Sequence, residues 1–202
     1  MQSSEIMSET TTNQEKTVNS KYLDECIFAI AKNDLSYMNE LYIYTHVQVY
    51  SYVLSILKNK HDAEDVTHDT YVTVYNNAHL YKSRGKPLAW LITIAKNLSL
   101  TKLNDRNRFD NNDISQYQIA DEKGLSSVDR VTLETCLNHL NDEERHVVVL
   151  HAISGFKHRE IAQILDMSLS GVLSKYNRAM KKLKTQYEKG EMIWTIKRLK
   201  KI

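Results

Sequence analysis

Glycine and proline are nearly missing from this chain, with 5 Gly and a lone proline, Pro87, among 202 residues. Strands are bounded by clusters of turn residues, and no such clusters recur here, so an all-α fold is expected. A hydrophobic content of 42% is enough for ordinary globular cores. No apolar run approaches the roughly 20 residues of a membrane span. Residues 1–20 are polar and lack the apolar centre of a signal peptide, which points to a disordered N-terminal extension on a cytoplasmic protein.

Helical periodicity begins after that extension. Leu35, Met38, Leu41, Tyr42, Val49, Val53 and Ile56 recur on one face of a long helix. A second helix starts near Asp62, a plausible N-cap, and carries Ala63, Val66, Thr70, Val74 and Ala78 as its stripe. A third starts at Pro87, a favoured first-turn position for proline, and turns Leu88, Leu91, Ile92, Ala95, Leu98 and Leu103 inward. These helices can enclose one core over residues 21–108. The segment that follows, with 109–128 at its centre, is polar and aperiodic and reads as a linker.

A second helical domain is expected over 129–189. Leu133, Cys136, Leu137 and Leu140 form one stripe. Asn141, followed three positions later by Glu144, signals the start of a helix carrying Val147, Val148 and Leu150, which Gly155 ends. Next comes a short helix with Ile161, Ala162 and Leu165 inside, a break at Asp166-Met167, and a longer helix that Ser168 can cap. The longer helix should bury Leu169, Val172, Tyr176, Ala179, Met180 and Leu183. It should expose Ser170, Ser174, Lys175, Asn177, Arg178, Lys181 and Lys182. A short helix, a tight turn and a longer helix with a polar, basic face is the helix-turn-helix pattern. Such a second helix can lie in a major groove and read base edges or grip phosphates.

Charge supports the same chemistry. The formal net charge is only +2, yet it is segregated along the chain. Residues 1–81 hold 5 basic and 11 acidic residues, and 82–108 hold 7 and 1. Residues 109–156 hold 3 and 9, and 157–202 hold 12 and 4. Two basic blocks set apart suggest two contacts on one polyanion, for which nucleic acid is the natural candidate. Cys26 and Cys136 stand far apart without a CxxC and read as buried thiols. The His residues lack metal-pair spacing, and the phosphate-binding and nucleophile motifs of common enzymes are missing. No catalytic residue, metal or cofactor is expected.

The pieces DAEDVTHDTY and GKPLAWLITIAKN, with LNDEERHVVVLHAISGFKHREIAQILDMS further on, make the chain resemble a sigma-70 family factor. Residues 54–108 are similar to region 2 of that family and 140–184 to region 4. With no region 3 between them, the arrangement resembles the extracytoplasmic-function (ECF, group 4) sigma factors. The resemblance implies an alternative sigma factor that binds core RNA polymerase through its β′ and β subunits, recognises −10 and −35 promoter elements and assists promoter opening. It also implies an anti-sigma partner.

Site residues follow from the same resemblance. Asp62, Glu64, Asp65, His68 and Asp69 match the helix that docks on the polymerase. Lys82, Arg84, Lys86, Trp90, Lys96, Asn97, Lys102 and Arg106 match the −10 segment. Trp90 also lies beside the apolar stripe, so core packing remains open for it. Ser168, Ser170, Ser174, Lys175, Asn177, Arg178, Lys181 and Lys182 would meet the −35 element. Departures from the family pattern are His68 for Gln, Gly171 and Leu173 for Thr and Lys, and Asp166 for the usual turn Gly. The alternative reading of the residues is a helix-turn-helix regulator that binds duplex DNA and never engages polymerase. Residues 190–202 read as a basic amphipathic tail.

Overall fold

A computed structural model describes residues 20–109 and 137–188. Among the described residues the chain is all-helical. The helices are α1 (Ser20–Ala31), α2 (Ser36–Leu57), α3 (Lys60–Asn77) and α4 (Pro87–Phe109), followed by α5 (Asp142–Ala152), α6 (His158–Leu165) and α7 (Leu169–Glu188). A 3-10 turn, Ala78–Leu80, follows α3. The expectations for residues 1–19, for the linker beyond Phe109, for Leu133 and Cys136, and for the tail 190–202 fall outside the described residues.

Helices α1 to α4 form the first domain. The stripe expected on α3 is buried in full, from Ala63 through Val66, Thr70 and Val74 to Ala78. The inner face of α4 is centred on Leu91, Ile92 and Ala95. Fully burying such a side chain is worth about 1.5–3 kcal/mol, so these positions anchor the domain. Between α2 and α3 the Thr45 hydroxyl donates to the Leu41 carbonyl at 2.6 Å and pairs with the Tyr71 hydroxyl at 2.8 Å. These two buried hydroxyls are thereby satisfied.

Three local expectations are corrected. Helix α3 starts two residues before Asp62, and the Asn59 side chain caps it by accepting from the Asp62 amide at 3.0 Å. Asp62 then sits in the first turn, where its charge favours the helix dipole. Leu35 and Tyr42, expected inside, are exposed. Helix α1 adds Leu23, Cys26, Ile27 and Ile30 to the core instead, Cys26 as the buried thiol expected. Helix α4 continues through 104–109, into the polar stretch read as the start of the linker.

Helices α5 to α7 form the second domain. The capping box at Asn141 and Glu144 is present in both directions. Buried Arg145 closes the turn before α5 by donating to the carbonyls of Leu137 at 3.0 Å and Leu140 at 2.9 Å. Within α6, Ile164 is buried and Leu165 half-buried, so the inner residue is the neighbour of the one expected. Asp166 makes the helix-turn-helix bend in the left-handed region, at φ 55° and ψ 49°. Ser168 caps α7 as expected, its hydroxyl accepting from the Gly171 amide at 3.1 Å. Leu169, expected inside, is exposed.

The two domains pack on one another. Helix α2 lies against α5, and α4 against α6. Buried residues of both domains form one continuous apolar cluster. At this seam Tyr52 is fully buried with its ring against His146, centroids 6.0 Å apart. Lys58 Nζ lies 2.7 Å from Asp142 Oδ1. Burial pushes His146 down to about 4 from 6.5, against the pull of Asp142, with Arg145 and Lys58 adding to the depression.

Two outcomes are expected. A non-glycine residue in the left-handed region costs roughly 1–2 kcal/mol, less for Asp than for most. Asp166→Gly should therefore raise stability by up to about 1 kcal/mol in urea unfolding; an unchanged or lower midpoint would contradict the strain. His146 adds nothing to pH dependence above 6.5, where it is neutral in both states. Between 6.5 and about 4 the unfolded chain takes up a proton that the folded chain refuses. Stability should fall on acidification through that window, by as much as about 3 kcal/mol. His146→Phe should flatten this part of the pH–stability curve.

Candidate nucleic-acid interface

The loop 82–86 is held from below. The Tyr81 hydroxyl donates to Asp24 Oδ1, and the Ser83 hydroxyl to Asp24 Oδ2 at 2.8 Å. Burial and the Asp24 carboxylate push the Tyr81 hydroxyl well above its ordinary range, so it remains a donor. Gly85, at φ 69°, supplies the left-handed residue that lets the loop reach Pro87. Lys82, Arg84 and Lys86 stand exposed on this loop.

Trp90 is half-buried, its ring 4.8 Å from that of Tyr81, which in turn lies 5.7 Å from Phe28. This aromatic row ties α4 to α1 and gives Trp90 a packing role. Asn97 is exposed on the outer side of α4. Three cations of α4 are engaged within the chain. Lys96 Nζ donates to the Ile164 carbonyl at 2.8 Å. Lys102 Nζ lies 3.2 Å from Asp62 and 3.6 Å from Asp65, and Arg106 lies 3.8 Å from Asp62. The hydrogen bond that Lys102 donates to Asp62, with the charges of Asp62 and Asp65, holds the ammonium above its ordinary range despite some desolvation.

The acidic residues expected to dock on polymerase therefore divide in two. Asp62 faces inward to α4, and Glu64 lies near Lys60 and His61. Asp65, His68 and Asp69 are exposed along one face of α3. Val72 and Tyr75 extend that face with exposed apolar surface, and Ile43 and Val47 are exposed on α2. Sequence reasoning passed over these four. For Val72 and Tyr75 the available signal was an apolar side chain seven residues on from Asp65 and from His68, off the inward stripe; Ile43 and Val47 lie on another helix, where spacing gave no such signal.

On α7 the outer face is as expected at Ser170, Ser174, Asn177, Arg178 and Lys181, all exposed. Lys175 is instead half-buried and paired with Glu143. Lys182 lies 2.7 Å from buried Glu144. Burial pushes the Glu144 carboxyl up, but Lys182 and the Asn141 amide outweigh it and hold the group below its usual range. A side chain at Gly171 would put its Cβ 3.1 Å from the capping Ser168 hydroxyl, so glycine there spares the cap. Among the described residues no group of three or more His, Cys, Asp or Glu could hold a metal ion. No described helix is long and apolar enough to cross a membrane.

The geometry agrees with what the chain is similar to. The family models for sigma-70 region 2 and sigma-70 region 4 match residues 41–109 and 130–183. The ECF RNA polymerase sigma factor SigK of Mycobacterium bovis (strain BCG / Pasteur 1173P2) is 26% identical over 172 residues, covering 80% of this chain and 91% of that protein. The ECF RNA polymerase sigma factor SigX of Bacillus subtilis (strain 168) is 24% identical over 159 residues, covering 73% and 82%. Among solved structures, the sigma factor RpoE in complex with the anti-sigma factor NepR from Bartonella quintana superposes with a TM-score of 0.62 at 21% identity, over 78% of this chain and 96% of that one. CnrH in complex with the cytosolic domain of CnrY gives 0.59 at 21% identity, over 82% and 96%. At that identity both likenesses concern the fold.

Asp62 joins the first turn of α3 to two cations of α4. Asp62→Asn should lower stability by up to about 1 kcal/mol, and by less in about 1 M salt, as read by urea unfolding at both ionic strengths. Equal losses at both would show that the carboxylate acts through something other than these ion pairs.

Proposed function

This chain belongs to the sigma-70 family, in its ECF type, and on that footing we propose that it acts as an alternative sigma factor. It binds core RNA polymerase, recognises −10 and −35 promoter elements and assists opening of the −10 region. The observation that carries this reading is the pairing of region 2 and region 4 matches with two separate exposed surfaces. One is the acidic and apolar face of α3, and the other is the polar, basic face of α7. A regulator confined to duplex DNA would leave the region 2 match without a role.

The division of labour follows from the chemistry. Asp65, His68 and Asp69, with Val72 and Tyr75 beside them, offer a charged patch and an apolar one to the β′ subunit. Lys82, Arg84 and Lys86 on the loop, with Lys96, Asn97, Lys102 and Arg106 on α4, line the side offered to opened −10 DNA. Cations hold its backbone there, and Asn97 is the outward polar group suited to a base edge. On α7, Asn177 and Arg178 are placed to read a major groove, while Ser170, Ser174 and Lys181 are suited to phosphates. Lys175 and Lys182 join them once released from Glu143 and Glu144. Nucleotide chemistry belongs to the polymerase, so the chain is a factor and not an enzyme. Its place of work is the cytoplasm, and an anti-sigma protein, as NepR is for RpoE in the complex of that structural relative, is the expected partner.

Paired reversals separate the two surfaces. Asp65→Arg with Asp69→Arg should abolish co-elution with core polymerase while leaving duplex promoter DNA binding intact. Arg178→Ala should weaken binding to a −35 duplex about tenfold and reduce its salt slope by about one. Core binding that survives the acidic reversals would remove the polymerase role from this face.

A further inference from the structure

Two exposed side chains in the first two turns of α7 are apolar. Leu169 and Leu173 are 39% and 40% exposed. They stand one turn apart, and Asn177 follows a further turn on, so the three form a single row at i, i+4 and i+8. The row begins directly after the Asp166 bend and the Ser168 cap. In a helix-turn-helix the N-terminal turns of the second helix are the part that meets base edges. The inward stripe of α7 is filled by Val172, Ala179 and Leu183, so the outer part of each leucine is left for a partner. Ser170, Ser174, Arg178 and Lys181 lie exposed beside the row. An apolar strip bordered by hydroxyls and cations fits a partner whose backbone is anionic and whose inner edges carry apolar groups.

We propose that Leu173, with Leu169 beside it, reads thymine methyl groups in the major groove of the −35 element. The C5-methyl of thymine is the apolar group that base edges present in that groove. A polar or charged side chain at Leu173 would instead favour hydrogen-bonding edges or phosphates. Asn177, a turn further on in the same row, is suited to the N6 and N7 atoms of an adenine. The row therefore selects an element containing A·T pairs, with a thymine at the position that faces Leu173. Burying one methyl group against the leucine favours that thymine about fourfold over the same base without its methyl. The inference rests on the reading of α7 as the −35 helix, and goes beyond it by naming the base feature that this chain's own departure at Leu173 recognises.

The test selects duplexes from a randomised pool with the full chain, alone and with core polymerase, against core polymerase without the chain. The best binder is then re-measured with deoxyuridine in place of thymidine at each position in turn. Uracil pairs as thymine does and lacks only the methyl group, so hydrogen bonding and charge stay constant. At the position facing Leu173 the deoxyuridine duplex should bind about fourfold more weakly. Leu173→Ala should bind the thymidine and deoxyuridine duplexes equally, at the level the unaltered chain shows for deoxyuridine. Because Leu173 is exposed, its urea unfolding midpoint should not move, which separates lost recognition from lost folding. Equal binding of the two duplexes by the unaltered chain at every position would overturn the inference, leave the −35 reading standing and assign the strip to a protein partner. Discrimination that survives Leu173→Ala would overturn the role of this residue. A pool in which the chain enriches no sequence would remove the −35 reading of α7 and the inference with it.

Discussion

The C-terminal half of α2 is the element on which the rest of the structure depends. Val49 and Tyr50, then Tyr52 through Leu57, are buried. A helix buried nearly all round must be covered on opposite sides. Here α3 and α4 cover one side and α5 the other. This arrangement sets how the exposed acidic face of α3 stands relative to the polar, basic face of α7. It also places the acidic first turn of α5 beside Lys58 at the end of α2.

Charge does the complementary work. The sequence alternates acidic and basic blocks, which first suggests separate partners for each. The folded chain uses much of that charge on itself. Asp62 and Asp65 hold Lys102, Glu160 holds Lys86, and Glu143 and Glu144 hold two lysines of α7. Partly exposed pairs of this kind contribute little to stability. Their consequence lies in position, because each pair ties its cation to a neighbouring helix.

Much of the fold was legible because its signals were local. The α3 stripe, Pro87 at the start of α4, and the Asn141–Glu144 capping box each need only a few neighbouring residues to specify them. The helix-turn-helix was legible for the same reason, down to the Ser168 cap. What was missed depended on tertiary context. Helix α1 is short, and apart from Cys26, expected as a buried thiol, its Leu23, Ile27 and Ile30 acquire meaning only against the core they complete. Leu35 precedes the part of α2 that its neighbours cover, and Tyr42, its ring 5.0 Å from that of Tyr71, stays exposed beside buried Leu41 and Thr45. The capping residue, Asn59, lies three residues before Asp62, where the sequence places the start of the helix. The candidate site shows the same split. Residue types and faces could be read from spacing, but the partners of Lys96, Lys102, Lys175 and Lys182 could not. Those partners lie on other helices, reached only through folding.

The central claim is that this chain directs core RNA polymerase to promoters. Run-off transcription tests it most directly, using purified core polymerase and a library of genomic promoter fragments, with and without the chain. Discrete start sites that appear only when it is present are the expected result, and their alignment would give both promoter elements. Failure of the chain to bind core polymerase, with no chain-dependent start site on any fragment, would contradict the account.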